Sequence, residues 1–226
     1  MMRKIFLTAK DGVKIAANLY LAEAPKGWII FSHMMPAAKE SWNDLAERFQ
    51  GSGYESVAID LRGHGESVSN GLTRKLNYRN FSDAEHQKSI LDLEAAADFL
   101  IKESKAAAGK ISFVGASIGA NLSLQYISEH PEFKTAVLLS PGLDYRGVKT
   151  EPLAKNLKAG QRVFFVSAKD DIRSGGDNAE ENQKLYGLTP KGVEKQIKIY
   201  ETGGHGTDIL ASHPELAESI KDFIGG

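Results

Sequence analysis

Ile111-Ser112-Phe113-Val114-Gly115-Ala116-Ser117-Ile118-Gly119-Ala120 is the stretch on which the reading of this chain turns. A short, mostly apolar run over Ile111–Val114 suits a buried strand. A helical pattern follows over Ile118–Glu129. Between them lies Gly115-x-Ser117-x-Gly119, so the serine falls on a strand-to-helix turn. A turn that sharp strains the serine backbone and lifts its hydroxyl clear of the sheet. Strand and helix pass close together there, which calls for small residues two before and two after; Gly115 and Gly119 meet that need. The start of the helix also favours developing negative charge. The same five residues in an ordinary turn would make Ser117 a mere helix cap. The strand before and the helix after favour a nucleophile instead.

Outward from this turn, the chain opens with apolar residues at alternate positions, Ile5, Leu7 and Ala9, then Val13, Ile15, Ala17 and Leu19. Asp11-Gly12 sits between the two sets, as in a hairpin. Further short apolar runs occur at Trp28–Phe31, Val57–Ile59, Ala136–Leu139 and Val163–Val166, as expected of parallel strands buried on both faces. Gln196–Tyr200 is half polar and suits an edge strand. Ile90, Leu93, Ala97, Leu100 and Ile101 form a stripe at helical spacing, and Leu210, Leu216, Ile220, Phe223 and Ile224 form another. Ser41–Gln50 and Asp177–Tyr186 are further helical segments. Strands alternating with helices predict an α/β fold, a mostly parallel sheet covered on both faces, in one domain over residues 1–226. In such sheets ligands bind beyond the carboxyl ends of the strands.

The composition is that of a globular protein: 226 residues, 42% hydrophobic and 25% charged, with a formal net charge of -1. There is no global basic field for nucleic acid or an anionic membrane. The absence of cysteine excludes disulfides, thiolate metal sites and a cysteine nucleophile. No signal-peptide core occupies Met1 to Lys10 and no apolar run approaches membrane-spanning length, so a cytoplasmic location is the expectation.

A serine hydroxyl needs a base to take its proton. His205 stands just past Gln196–Tyr200 in Thr202-Gly203-Gly204-His205-Gly206, a glycine-rich loop able to carry the ring toward Ser117. His33 and His64 precede the serine. His86, His130 and His213 fall at helical or pre-proline positions suited to a solvated surface. An acid that fixes the imidazole tautomer is expected after the strand Val163–Val166. Asp170 is preferred there, with its neighbour Asp171 as the alternative and Asp144 a weaker one.

The order Ser117, Asp170, His205 resembles the α/β-hydrolase superfamily. So does Asp60-Leu61-Arg62-Gly63-His64-Gly65-Glu66-Ser67, which is similar to its D-x-R-G-H-G-x-S stretch. The resemblance runs from the hairpin to the last helix. It implies an eight-stranded, mostly parallel sheet with an N-terminal antiparallel hairpin and helices on both faces. It aligns Asp170 with the acid of a G-x-x-D pattern in which Ser167 replaces the glycine. It makes Arg62–Ser67 a structural stretch shaping the rim. It implies an oxyanion hole of two backbone amides, Ile118 and one from Ser32-His33-Met34-Met35-Pro36. By the family's H-G-x pattern that donor is Met35, with Met34 the alternative because it replaces the glycine. Ser140 to Val163 leaves room for a loop and one short helix, hence a minimal lid and a shallow site. Met34 and Leu143 are expected to line it, and the polar Gly71 to Phe81 segment to flank its entrance. The likeness is to small, cap-poor carboxylesterases and to dienelactone-hydrolase-like proteins, with Ser in place of their Cys.

The expected activity is hydrolysis of a small carboxylic ester, with a short acyl chain, through an acyl-enzyme. A thioesterase or acyl-peptide hydrolase would use the same triad, and a non-catalytic ligand-binding relative would share only the fold. The chemistry needs no metal and no organic cofactor. The expected partner is a small-molecule ester, not nucleic acid or membrane, bound by a monomer or homodimer.

Overall fold

The structure is a computed structural model that describes residues 1–71 and 75–226. In chain order its elements are β1 (Met2–Thr8), β2 (Lys14–Tyr20), β3 (Gly27–Ser32), α1 (Asn43–Gly51), β4 (Tyr54–Ile59), α2 (Asp83–Gln87) and α3 (Ile90–Lys102). There follow β5 (Ile111–Ala116), α4 (Ile118–Glu129), β6 (Thr135–Leu139), β7 (Asp144–Tyr145), β8 (Val148–Lys149), α5 (Thr150–Asn156) and β9 (Arg162–Ala168). The chain ends with α6 (Asn178–Leu188), β10 (Glu194–Tyr200), α7 (Asp208–Ser212) and α8 (Leu216–Gly225).

Eight strands form one sheet in the order β1-β2-β4-β3-β5-β6-β9-β10. β1 and β2 pair antiparallel across the Asp11-Gly12 turn, with Leu7 opposite Ile15 and Ile5 opposite Ala17. β2 joins β4 antiparallel, and every later pairing in the sheet is parallel. The expected eight-stranded α/β sheet with its hairpin is therefore the observed one. The central strands β4, β5 and β6 are buried along their whole length, which is why their sequences are mostly apolar without the alternation of a half-exposed strand. β10 is an edge strand, as its polar composition requires.

Two apolar cores lie on the two faces. On one, Leu93, Ala97 and Leu100 of α3 meet Leu122 and Leu124 of α4, Ala154 of α5 and Leu185 of α6. On the other, Leu45 and Phe49 of α1 pack with Ile209 of α7 and Leu216, Ile220 and Phe223 of α8. The C-terminal apolar stripe is thus divided between two helices. Pro214 lacks an amide hydrogen and disfavours helix at the residue before it, so α7 ends at Ser212. No helix among the described residues is long and apolar enough to cross a membrane.

The Asp60 to Ser67 stretch forms a tight turn held by buried charge. The Asp60 carboxylate accepts from Lys39 N at 2.8 Å, Lys39 Nζ at 2.8 Å and Glu66 N at 2.9 Å. Arg62 donates through Nε and Nη2 to Asp92, at 3.0 and 2.8 Å, and through Nη1 to Asp11 at 2.6 Å. A Cβ on Gly65 would lie 2.2 Å from Asp60 Oδ2, so only glycine fits. Of the segment expected to flank the site entrance, residues 72–74 lie outside the described residues.

Candidate active site

Ser117 closes β5 and opens α4 with φ 54° and ψ −120°. Such a positive-φ backbone is costly for a non-glycine residue and persists only where its surroundings fix it. Here Ser117 N donates to Leu139 O at 2.8 Å, and Ser117 O accepts from Ala120 N and Asn121 N at 2.9 and 3.1 Å. Both glycines are required by contact. A Cβ on Gly115 would lie 2.2 Å from Gly119 O, and one on Gly119 would lie 2.3 Å from Ser32 O. Ser32 Oγ donates to Gly119 O at 3.0 Å, which binds the end of β3 to the first turn of α4. As the first residue of α4, Ile118 has an N–H with no intrahelical acceptor. Ser117 is half-exposed, whereas its neighbours in the turn are buried.

His205 lies in the loop between β10 and α7. It is buried, and its Nδ1 donates to Asp171 Oδ2 at 2.6 Å. Asp171 is fully buried, so this short charge-assisted bond is shielded from water. The preference for Asp170 is corrected here. The Asp170 side chain accepts from Gly204 N at 2.9 Å instead, and that bond holds its carboxyl below the usual carboxylate range. β9 ends at Ala168, and the two successive aspartates in the turn beyond it point different ways. The matching pattern from Ser167 is therefore one residue out of register.

Asp170 is one of three clamps on the His205 loop. Gly206 N donates to Ser140 Oγ at 2.8 Å, and His213 Nε2 donates to Thr202 O at 2.6 Å while its ring stacks on Tyr200 at 3.8 Å. The loop lies against the serine turn: a Cβ on Gly206 would be 3.3 Å from Ala116 Cβ and 2.7 Å from Met34 Sδ. The serine turn, the histidine loop and the loop after β3 thus converge at the carboxyl edge of the sheet.

Met34 and Met35 diverge. Met34 is buried beneath the His205 loop, with Arg173 Nη1 3.7 Å from its sulfur. Met35 packs against the core on the opposite face of the sheet. His33, just before them, is fully buried, which holds its imidazole down to about 4. Its ring meets that of His64 edge-on at 4.9 Å, and His64 stacks on Tyr78 at 3.8 Å. Burial and the neighbouring His33 hold His64 lower, at about 3. Among the described residues, neither His33 nor His64 pairs with a carboxylate in the way His205 does.

Leu143 is half-buried and packs on the core. The segment carrying it is pinned by Asn121, whose Nδ2 donates to Gly142 O and Val148 O at 3.0 and 2.9 Å. Between β6 and β9 the chain forms only the β7–β8 hairpin and α5, in keeping with a minimal lid. Tyr145 of that hairpin sets its ring edge-on to His205 at 6.2 Å. The sequence reading missed Tyr145, because two-residue strands leave no periodic signal. It also missed the loop clamps at Ser140 and His213. Ile172 is 88% exposed beside Asp171, an apolar side chain standing free at the rim.

An eight-stranded sheet with a strained serine between β5 and α4 and a late histidine paired to a buried carboxylate defines an α/β hydrolase. The sequence matches the hydrolase family described as serine aminopeptidase, S33, over residues 23–186, and the chain belongs to that family. Among solved structures it is similar to the esterase Pf2001 of Pyrococcus furiosus, at 18% identity and a TM-score of 0.79, covering 100% of this chain and 92% of that one. It is also similar to a dienelactone hydrolase of Anabaena variabilis, at 18% identity and a TM-score of 0.76 over 99% and 96% of the two chains. An acetyl xylan esterase of Paenibacillus sp. R4 shares 16% identity at a TM-score of 0.78, over 99% and 83%. At these identities the likeness is one of fold. No curated protein matches the sequence.

Proposed function

We propose that this hydrolase cleaves small carboxylic esters through an acyl-enzyme on Ser117. The observation that carries the reading is the buried His205–Asp171 pair, 2.6 Å apart, on a loop packed against the strained serine turn. His205 Nδ1–H is committed to Asp171, which leaves Nε2 as the acceptor for the serine proton. Ser117 Oγ attacks the carbonyl carbon as His205 takes that proton. The N–H groups of Ile118 and Met35 receive the oxyanion. His205 then protonates the leaving alcohol, and water, deprotonated by the same imidazole, releases the acid. Asp171 holds the tautomer and stabilises the imidazolium.

The short insertion between β6 and β9, the β7–β8 hairpin and α5, supports a small substrate, with Met34 and Leu143 as apolar lining. The names of the similar structures support esters. The family description favours a second substrate, an aminoacyl amide. The test is a matched panel of acetyl esters, acetyl thioesters and aminoacyl amides, run on the wild type and Ser117→Ala. Ester turnover well above the other two, abolished in the variant, is the expected result. Preference for aminoacyl amides would replace the ester reading, and turnover surviving in Ser117→Ala would end both.

A further inference from the structure

His33 makes two hydrogen bonds that admit one protonation state. Its Nδ1 lies 2.8 Å from Met34 O, and its Nε2 lies 3.0 Å from Leu61 N. The carbonyl can only accept, so Nδ1 carries the proton; the Leu61 amide can only donate, so Nε2 carries the lone pair. The ring is therefore the neutral Nδ1–H tautomer. It bridges the loop after β3 to the turn after β4, and both contacts are out of water.

The consequence falls on the next peptide. The Met34–Met35 bond is trans, and in a planar trans amide the C=O and N–H point in opposite directions. Drawing Met34 O inward onto His33 aims Met35 N–H outward. A rotation of that peptide by half a turn would do two things at once. It would remove a donor from the oxyanion position and put a carbonyl lone pair there. It would also leave Met34 O without its buried partner.

We infer that His33 is the positioning residue of the oxyanion hole: its Nδ1–H sets the orientation of the Met34–Met35 peptide, and Leu61 N–H enforces the tautomer that does so. The inference rests on the reading of Ser117 as nucleophile and Met35 N–H as oxyanion donor. It also gives the Asp60–Ser67 turn a task beyond shaping the rim, since that turn, through its charge network, fixes where Leu61 N–H stands.

Two variants separate this role from plain packing. In His33→Asn the side-chain amide nitrogen falls near the place of Nδ1 and keeps the donor to Met34 O. In His33→Gln the longer amide reaches the place of Nε2 and keeps the acceptor for Leu61 N, but Met34 O loses its donor. Both shrink the buried ring, so both should lower Tm similarly. On p-nitrophenyl acetate, His33→Gln should lose about 10²–10³-fold in kcat with KM nearly unchanged, the loss associated with one oxyanion donor. Its affinity for a trifluoromethyl ketone, which forms a tetrahedral oxyanion on serine, should fall in parallel. His33→Asn should recover kcat to within roughly tenfold of wild type, by the same donor count. Equal losses in the two variants, or full kcat in His33→Gln, would overturn the inference. Should a variant not fold, ¹⁵N NMR of the wild-type imidazole decides: Nδ1–H is expected, and an Nε2–H tautomer or an imidazolium at neutral pH overturns it. Turnover that survives in Ser117→Ala marks the different failure, that of the parent reading.

Discussion

Asp171→Asn should disable the enzyme while leaving it folded, and Asp170→Asn should do neither. At 171 the carboxylate is fully buried and accepts from His205 Nδ1 at 2.6 Å. An asparagine fits the same space but presents an NH₂ as readily as an oxygen. Facing the ring with its NH₂, it stabilises the tautomer with the proton on Nε2, where the serine needs an acceptor. In serine protease triads this exchange costs about 10⁴ in kcat, which corresponds to about 5 kcal/mol of transition-state stabilisation. At 170 the carboxylate is exposed and accepts backbone N–H bonds, chiefly from Gly204 at 2.9 Å. The asparagine oxygen can keep that bond, so the change should stay within about 1 kcal/mol, or fivefold. The assay is kcat on p-nitrophenyl acetate for both variants, with circular dichroism to show that each is folded. A loss beyond tenfold in Asp170→Asn with a mild effect in Asp171→Asn would refute the assignment and restore Asp170 as the acid.

Stability should fall in acid partly through His33. Burial holds its folded-state imidazole at about 4 against 6.5 when free, so as pH drops the unfolded chain takes up the proton first. The stability is full above pH 6.5 and is lost between 6.5 and 4, by about 2 kcal/mol at pH 5. Urea unfolding at pH 7.5 and pH 5 should show wild type losing about that much more than His33→Asn; equal losses would contradict the buried neutral ring. Gly119→Ala places a Cβ 2.3 Å from Ser32 O, an overpacking that should cost about 3 kcal/mol in urea unfolding, and a cost below about 0.5 kcal/mol would mean that the strand and helix are not so close. Between β6 and β9 only the β7–β8 hairpin and α5 are there to cover an acyl chain, each carbon of which is worth about 0.8 kcal/mol when buried. In a series from acetate to palmitate, kcat/KM should therefore peak at roughly two to six carbons, and a maximum at ten or beyond would reveal an apolar channel.

The parts legible in sequence are those that leave a local signal. Ile111 to Gly119 carries strand, turn and helix within nine residues, and the two glycines announce the close crossing that the backbone contacts confirm. The glycines around His205 likewise mark a loop free to approach the serine. Asp170 against Asp171 was not legible. Both stand at the end of the right strand, and which one turns inward depends on where β9 releases the chain, a matter of one residue. Tyr145 was invisible because the β7–β8 hairpin is two residues wide on each side. The bond between His33 and Leu61 joins positions 28 apart, which sequence spacing alone does not bring together. The division of the C-terminal stripe at Pro214 was readable from the proline and outweighed by the apolar periodicity on either side of it.

The central claim is that Ser117 forms a covalent intermediate, and a fluorophosphonate tests it directly. One equivalent should add one adduct to the intact mass, and peptide mapping should place it on the tryptic fragment that contains Gly115-Ala116-Ser117-Ile118-Gly119. Loss of ester turnover should track adduct formation one to one, and Ser117→Ala should show neither. Adduct on another serine, or unlabelled Ser117 in protein whose turnover has been abolished, would contradict the account.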